Sequence, residues 1–138
     1  MVSRRIAALV AGAAAGAALR RSVHRVEVAG SSMSPALLAG DKVVVLALPR
    51  PLSRWPRPGE VVALRDPRDP SRVLIKRVAS VDRRAGTLLV AGDARDASTD
   101  SRQFGPVPRS SVVGRAVYRY APAGRSGPGP WPEEYHRA

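Results

Sequence analysis

Short apolar runs, each bounded by turn residues, follow one another over residues 26–120. The runs are rich in β-branched residues, and pairs such as Gly40-Asp41 and Pro58-Gly59 separate them. Such runs are typical of β-strands joined by tight turns. We therefore predict an all-β fold, a small antiparallel barrel or folded sheet. The predicted strands cover residues 26–28, 43–46, 61–64, 73–81, 87–90 and 112–120.

The first apolar stretch has a different pattern, because residues 6–19 carry no charge and are mostly Ala and Gly. As a helix this stretch would span roughly 21 Å at ~1.5 Å per residue, less than the ~30 Å hydrocarbon core of a bilayer. Residues 1–25 are therefore predicted to contain a short apolar helix. It could be a weak membrane anchor, a removable signal-peptide-like segment or a helix packed on the protein. Arginine pairs on both flanks mean that the positive-inside rule gives no orientation.

The rest of the chain contains two proline-rich segments. Residues 49–58 contain four prolines and Trp55, which predicts a loop whose indole caps the core. Residues 121–138 contain a Gly-Pro-Gly-Pro sequence and are predicted to be a flexible tail. The domain itself is therefore assigned to residues 26–120.

Composition narrows the possible chemistry. The chain has 138 residues, enough for one domain, and no cysteine. Its two histidines, His24 and His136, lie near opposite ends, so we expect no metal site and no cofactor. A net charge of +12 suits nucleic acid or an anionic membrane surface. Few aromatic residues and no visible nucleic-acid-binding motif argue against nucleic acid, which leaves a membrane surface or simply solvated charge.

Lys76 is the most informative residue. It is one of two lysines against 21 arginines, and it lies within an apolar run. Because alternate strand residues share a face, Leu74 and Val78 should lie on the same side as Lys76. Burial disfavours the ammonium form, so this lysine could be neutral near pH 7 and act as a base for a serine. The alternative is an edge lysine that extends into water.

The candidate nucleophile is Ser32. Gly30 and Pro35 bracket it, which predicts a sharp bend that exposes the hydroxyl group after the first strand. Taken alone, the same residues would be an ordinary polar turn.

A third cluster, residues 92–107, supplies candidate supporting groups. Ser98 could orient the lysine amine, while Asp100 and Arg102 could pair with each other or with Arg77. A neutral lysine also requires that no carboxylate pairs with it. The hypothesis therefore needs Asp93, Asp96 and Asp100 to point elsewhere.

Together these segments resemble the successive sequence boxes of the type I signal peptidase family, the membrane-linked serine proteases with a Ser/Lys dyad. The resemblance covers about residues 26–120, and its last element, Gly-Asp-x-x-x-x-Ser-x-Asp-Ser-Arg-x-Phe-Gly-x-Val-Pro, is highly specific. It implies an all-β catalytic core. By position, it implies Ser32 as nucleophile, with its backbone N–H in the oxyanion hole, and Lys76 as general base. The same positions imply that Ser98 orients the lysine and that three charged residues support the site: Asp100, Arg102 and Arg77.

Some positions depart from the family pattern. Gly30 stands where some members have a serine that helps to hold the oxyanion, and Ala36 and Ala94 replace a usual Thr and Asn. Residues 79–92 are too few to hold a large inserted domain. The compact form is similar to the mitochondrial inner-membrane proteases of the family and to the proteases that mature nickel-type superoxide dismutase.

The resemblance implies an endopeptidase that cleaves signal peptides or N-terminal propeptides after small residues. Its partners would be precursor polypeptides and a membrane surface, with the catalytic domain outside the cytoplasm. One alternative is a cytoplasmic protease dedicated to the nickel-type superoxide dismutase precursor. A catalytically idle partner subunit or basic membrane-docking module is the non-enzyme alternative. Self-cleaving SOS-type repressors share some of the signals, but this chain has no room for their helix-turn-helix domain.

Overall fold

In the described part of the chain, eight strands form one antiparallel sheet in the order β1-β2-β7-β3-β4-β5-β6, with β8 on β7. The computed structural model describes residues 22–49 and 53–132. The strands are β1 Val23–Glu27, β2 Lys42–Leu46, β3 Val61–Asp66, β4 Asp69–Asp82, β5 Thr87–Ala91, β6 Val107–Pro108, β7 Val112–Ala121 and β8 Gly127–Pro128. Within these residues, one short α-helix, α1, covers Ser101–Phe104, and 3-10 turns cover Arg95–Ala97, Arg109–Ser111 and Ala123–Arg125.

The predicted antiparallel all-β fold is confirmed, and each predicted strand corresponds to one of these elements. The longest strand, β4, pairs with β3 through its first part and with β5 through its last part. A register shift between Val78 and Ser80 accompanies the second pairing. Because β4 belongs to both pairings, it connects the two parts of the folded sheet.

Two apolar cores lie on the two faces of β3. Alternate residues divide between them, since Val61 and Ala63 belong to the first core and Val62 and Leu64 to the second. A strand that is buried on both faces has a continuous run of apolar residues, and β3 has this pattern. Core A consists of Val28, Met33, Ala36, Leu37, Val43, Val45, Val61, Ala63, Ile75, Ala116 and Trp131. Core B consists of Val62, Leu64, Val78, Leu88, Val90 and Val107, with Trp55 packed against it as predicted.

The end of the described chain is more ordered than the sequence predicts. β7 runs to Ala121, β8 pairs with it, and Trp131 is 5% exposed in core A. This corrects the expected flexible tail for residues 121–132, because an indole buried in the core fixes the segment before it. The remaining six residues of the predicted tail lie outside the described chain.

The predicted N-terminal helix also lies outside the described residues, apart from its last part. Residues 23–25 belong to strand β1 and not to a helix. Within residues 22–49 and 53–132, no helix has the length and apolar character needed to cross a bilayer.

Candidate active site

Lys76 lies in the middle of β4, opposite Val62 of β3. Val78 belongs to core B and Leu74 packs against it, as the strand alternation predicts. The lysine is 4% exposed, so its amine does not extend into water. Strand β4 therefore carries an ionisable amine into an apolar environment.

The amine has a defined hydrogen-bond partner. Lys76 Nζ donates to Ser98 Oγ at 2.9 Å, and Ser98 Oγ donates its own proton to Asp100 Oδ2 at 2.7 Å. A hydroxyl has only one proton to donate, so Ser98 can only accept from the lysine. A neutral Lys76 amine would thus use one N–H for Ser98 and keep its lone pair for another group.

Asp100 anchors this chain of hydrogen bonds. It is fully buried, and Arg102 binds it with Nε and Nη2 at 2.9 and 2.8 Å. The Gly92 N–H donates to Oδ2 at 2.9 Å, and a capping box with Gln103 places Asp100 at the start of α1. Burial raises the pKa of Asp100, but the bonds from Arg102, Gly92 and Ser98 outweigh it and hold the pKa well below its usual range.

The pKa of Lys76 is lowered from its ordinary value, chiefly because burial disfavours the ammonium form. Asp100 acts in the opposite direction, while Arg68 and Arg102 lower the pKa further. The requirement that Asp100 point away from Lys76 is therefore not fully met, because the Asp100 charge raises the Lys76 pKa. The Asp100 oxygens are, however, hydrogen-bonded to Arg102, Ser98 and Gly92, and burial lowers the Lys76 pKa by more than Asp100 raises it.

The loop that carries the candidate nucleophile Ser32, residues 30–38 and here called the nucleophile loop, is held from inside by two buried side chains. Met33 and Leu37 are almost fully buried in core A, and the Leu37 N–H donates to the Met33 carbonyl at 2.8 Å. Gly30 has a φ of +78°, in the left-handed region that favours glycine. Ser32, which lies between Gly30 and Met33, is half-buried.

Gly92 is where the nucleophile loop meets the Lys76–Ser98 pair. The Ala94 N–H donates to the Ser32 carbonyl at 2.9 Å. A Cβ added to Gly92 would overlap Ser98 Oγ and would lie 2.5 Å from Ser98 Cβ and 2.7 Å from Ser32 O. Because both atoms lie so close to the same position, Ser98 Cβ and the Ser32 carbonyl oxygen must also lie close to each other. The fold thus brings together Ser32, Lys76 and residues 92–98, which lie in three distant parts of the chain.

Arg77 has a different partner from the one that the sequence suggested. Its Nε and Nη2 bind Asp93 at 2.8 and 2.7 Å, and Nη1 donates to the Gly59 carbonyl at 2.8 Å. The side chain of Lys76 enters the core B face, so its neighbour Arg77 points to the other face and meets Asp93 there. Arg77 thus supports residues 92–94 and not Asp100.

Sequence reasoning missed three features of the site. The close packing at Gly92, the Arg77–Asp93 pair and the buried Trp131 depend on contacts between distant segments, and no local pattern signals them. Helix α1 did have a local signal. Asp100 followed three residues later by Gln103 is the spacing of a capping box.

The described residues contain no cluster of side chains suited to bind a metal ion. Among residues 22–49 and 53–132, no three His, Cys, Asp or Glu side chains are grouped so that they could hold a metal ion.

Comparison with known proteins identifies the family. The family model described as signal peptidase, peptidase S26, matches residues 2–82 and 81–121. The chain belongs to this family. It is thus a member of a peptidase family, and the resemblance found in the sequence is confirmed.

Individual relatives agree with this assignment. The chain is 34% identical over 137 residues to mitochondrial ATP-independent inner membrane protease subunit 1a of Arabidopsis thaliana, covering 84% of this chain and 75% of that protein. It is 31% identical over 124 residues to subunit 1b from the same plant, covering 75% and 73%. Signal peptidase I of Leptolyngbya laminosa is 49% identical over 43 residues, which are 31% of this chain and 21% of that protein.

Proposed function

We propose that this chain is a serine endopeptidase that uses Ser32 and Lys76 to cleave signal peptides or N-terminal propeptides after small residues. One observation supports it above all others. A buried lysine donates to a hydroxyl whose proton is committed to Asp100, and that hydroxyl packs against the same glycine as the Ser32 carbonyl. A neutral amine held in this way has a lone pair available for the Ser32 proton.

The proposed reaction proceeds in two halves. Ser32 Oγ gives its proton to Lys76 Nζ and attacks the carbonyl carbon of the scissile bond, and the Ser32 N–H stabilises the oxyanion. The peptide C–N bond then breaks as the lysine ammonium protonates the leaving amine, which leaves an ester on Ser32. Water, deprotonated by Lys76, attacks the ester, and protonation of Ser32 Oγ releases the acid product.

Ser98 and Asp100 position the base in this scheme. Asp100 fixes the direction of the Ser98 hydroxyl, and Ser98 in turn fixes the rotation of the lysine amine. Arg102 keeps Asp100 ionised, which prevents the carboxyl from offering a competing proton. Arg77 and Asp93 hold residues 92–94 against the nucleophile loop.

Precursor polypeptides at a membrane are the proposed substrates. The relatives include proteins named as inner membrane proteases, a signal peptidase and a thylakoidal processing peptidase. A net charge of +12 favours an anionic lipid surface. We propose that the chain is membrane-associated with its catalytic domain outside the cytoplasm, and fractionation of the tagged protein, with protease accessibility, tests this placement.

Ser32→Ala tests the proposed activity. The full chain, purified in detergent, is incubated with precursors that carry signal peptides, and the new N-termini are sequenced. We expect cleavage after small residues, and Ser32→Ala should lower kcat/KM by at least roughly a thousandfold because no attacking oxygen remains. Ser31→Ala is the matched control, since it removes a hydroxyl from the same loop and should leave activity unchanged. Full activity of Ser32→Ala would reject the proposal.

The pH dependence of proteolysis gives a second prediction. Burial lowers the Lys76 pKa, so the amine becomes a base at a lower pH than an ordinary lysine does. The kcat/KM value should be small when Lys76 is protonated and should rise with pH through that pKa, which lies below the ordinary value of ~10.4. A pH profile that falls with rising pH through neutrality would contradict a lysine base.

A further inference from the structure

The segment of residues 122–132, here called the C-terminal strap, packs behind the candidate site. It contains the 3-10 turn Ala123–Arg125 and strand β8, which pairs with β7. Its tryptophan, Trp131, is buried in core A, the core that also contains Met33 of the nucleophile loop. The strap is therefore part of the folded domain.

One end of the strap contacts the nucleophile loop through Asp41. Arg125 Nη1 binds Asp41 Oδ1 at 2.7 Å, and Asp41 Oδ2 accepts the Leu38 N–H at 2.9 Å. Asp41 is 2% exposed, so this ion pair is shielded from solvent on the carboxylate side. Arg125 thus fixes the carboxylate that terminates the loop.

A second arginine links the strap to the same loop. The Arg125 carbonyl accepts a hydrogen bond from Arg119 Nε. Arg119 Nη1 donates to the Ala36 carbonyl at 2.8 Å and lies 3.4 Å from Asp41 Oδ2. The strap carbonyl therefore orients a guanidinium group that binds the loop backbone.

The other end of the strap contacts the strand that carries Lys76. The Trp131 carbonyl accepts from Arg77 Nη2 at 2.6 Å, and the same guanidinium binds Asp93. Asp93 lies between Gly92, which packs against Ser98, and Ala94, which donates to Ser32.

We propose that Arg125 and Trp131 are positioning residues for the Ser32–Lys76 site, one for the nucleophile loop and one for the lysine strand. The inference rests on the proposed function, because it assigns the strap a role in that site. The proposed nucleophile and base come from separate segments of the chain. The strap binds Asp41 beside the nucleophile loop and Arg77 on the lysine strand, so it contacts residues that hold both segments in place. A displacement of about 1 Å between reacting groups can cost ~100-fold in rate, so loosening either end should reduce turnover.

The indole of Trp131 offers a conservative variant. Within the described part of the chain, Trp131 Nε1 is buried without a hydrogen-bond partner. Phenylalanine keeps an aromatic ring in core A and removes this unsatisfied donor, so Trp131→Phe should hold the strap nearly as well. Trp131→Ala removes the ring that anchors the strap carbonyl beside Arg77.

The test compares kcat, KM and Tm of the full chain with a precursor peptide. We expect Arg125→Ala and Trp131→Ala to lower kcat at least roughly tenfold with KM changed less than about twofold. Arg125→Lys and Trp131→Phe should restore most of the loss. Gly114→Ala, whose added Cβ would overlap the Leu46 carbonyl on β2, is the control for stability alone: it should lower Tm but leave kcat unchanged at temperatures where the protein is folded. Equal kcat losses in Gly114→Ala and the strap variants at matched folded fraction would overturn the proposal.

Hydrogen exchange separates this inference from the proposed function, because it does not depend on activity. The amides of Leu38 and Ala94 bind Asp41 and Ser32, so both should exchange at least roughly tenfold faster when the strap is loosened. Unchanged exchange at both amides in Arg125→Ala and Trp131→Ala would reject the strap inference even if Ser32→Ala is inactive. Faster exchange together with an active Ser32→Ala variant would instead reject the Ser/Lys dyad.

Discussion

Replacing Lys76 by arginine is expected to abolish proteolysis, with kcat/KM lower by at least roughly a thousandfold. Arginine keeps the positive charge and much of the length, but its guanidinium stays protonated at any working pH and cannot accept a proton from Ser32. Lys76→Met should be equally inactive, because methionine has no nitrogen that could accept the Ser32 proton. The control is the chain's other lysine: Lys42, exposed on β2, can be changed to Arg or Met without loss of activity. Activity of Lys76→Arg above a few per cent of the unchanged protein would reject a lysine base.

Lys76→Met should also be more stable than the unchanged protein at neutral pH. The pKa of Lys76 is lowered in the folded state, so the unfolded chain binds more protons at any pH between the lowered pKa and the ordinary one. Stability therefore rises with pH across that window and is reduced below it. Methionine fits an apolar site and carries no such penalty, so its Tm should be higher and its pH dependence weaker. Thermal unfolding of both proteins across this pH window measures the difference, and a lower Tm for Lys76→Met at neutral pH would contradict it.

Gly92→Ala is expected to lower kcat/KM by about 100-fold or more. The added Cβ would overlap Ser98 Oγ and would lie 2.7 Å from the Ser32 carbonyl oxygen, closer than carbon and oxygen approach without bonding. One or both of these residues must move, and a shift of about 1 Å between reacting groups costs ~100-fold in rate. Steady-state kinetics of the purified variant measure this loss.

The control for Gly92→Ala is an overlap of similar size elsewhere. A Cβ on Gly114 would overlap the Leu46 carbonyl where β7 approaches β2, so Gly114→Ala should destabilise the fold without displacing Ser32 or Ser98. Both variants should lower Tm, but only Gly92→Ala should lower kcat/KM when compared at equal folded fraction. Equal losses of activity in the two variants would assign the effect to folding alone.

The fold could be predicted from the sequence because its signals are local. Val61 to Leu64 are buried on both faces of β3, and a strand in that position must be continuously apolar. Glycines at the turns, such as Gly40 and Gly59, have the positive φ that their turn positions require. The order of apolar runs and turn residues was therefore enough to place six strands, but not the two-residue strands β6 and β8.

The candidate site could be predicted only in part. Its residues were chosen from their order along the chain, and their roles remain a prediction. Which carboxylate pairs with which arginine depends on the faces that distant strands present, so the Arg77–Asp93 pair could not be predicted from spacing. Asp100 illustrates the same limit. A lysine in an apolar run signals its own burial but not the distance to an acid 24 residues further on, whose charge nevertheless reaches it.

The C-terminal strap shows where composition misleads. Gly-Pro-Gly-Pro is typical of flexible segments, but here it leads into Trp131, whose burial in core A outweighs the local preference. A single large aromatic residue after a Gly/Pro-rich stretch carries no periodicity. The core that holds it is built largely from segments far earlier in the chain, with Met33 and Leu37 among its members.

The central claim is that Lys76 is neutral when the enzyme works, and an NMR titration of the lysine side chains tests it most directly. Because the chain has only two lysines, selective labelling gives two side-chain signals, and Lys42→Arg identifies the one from Lys76. We predict that the Lys76 signal titrates clearly below the ordinary lysine pKa of ~10.4 and that this step coincides with the acid limb of the kcat/KM profile. A Lys76 signal that titrates at the ordinary value, while proteolysis is already maximal near neutral pH, would contradict the account.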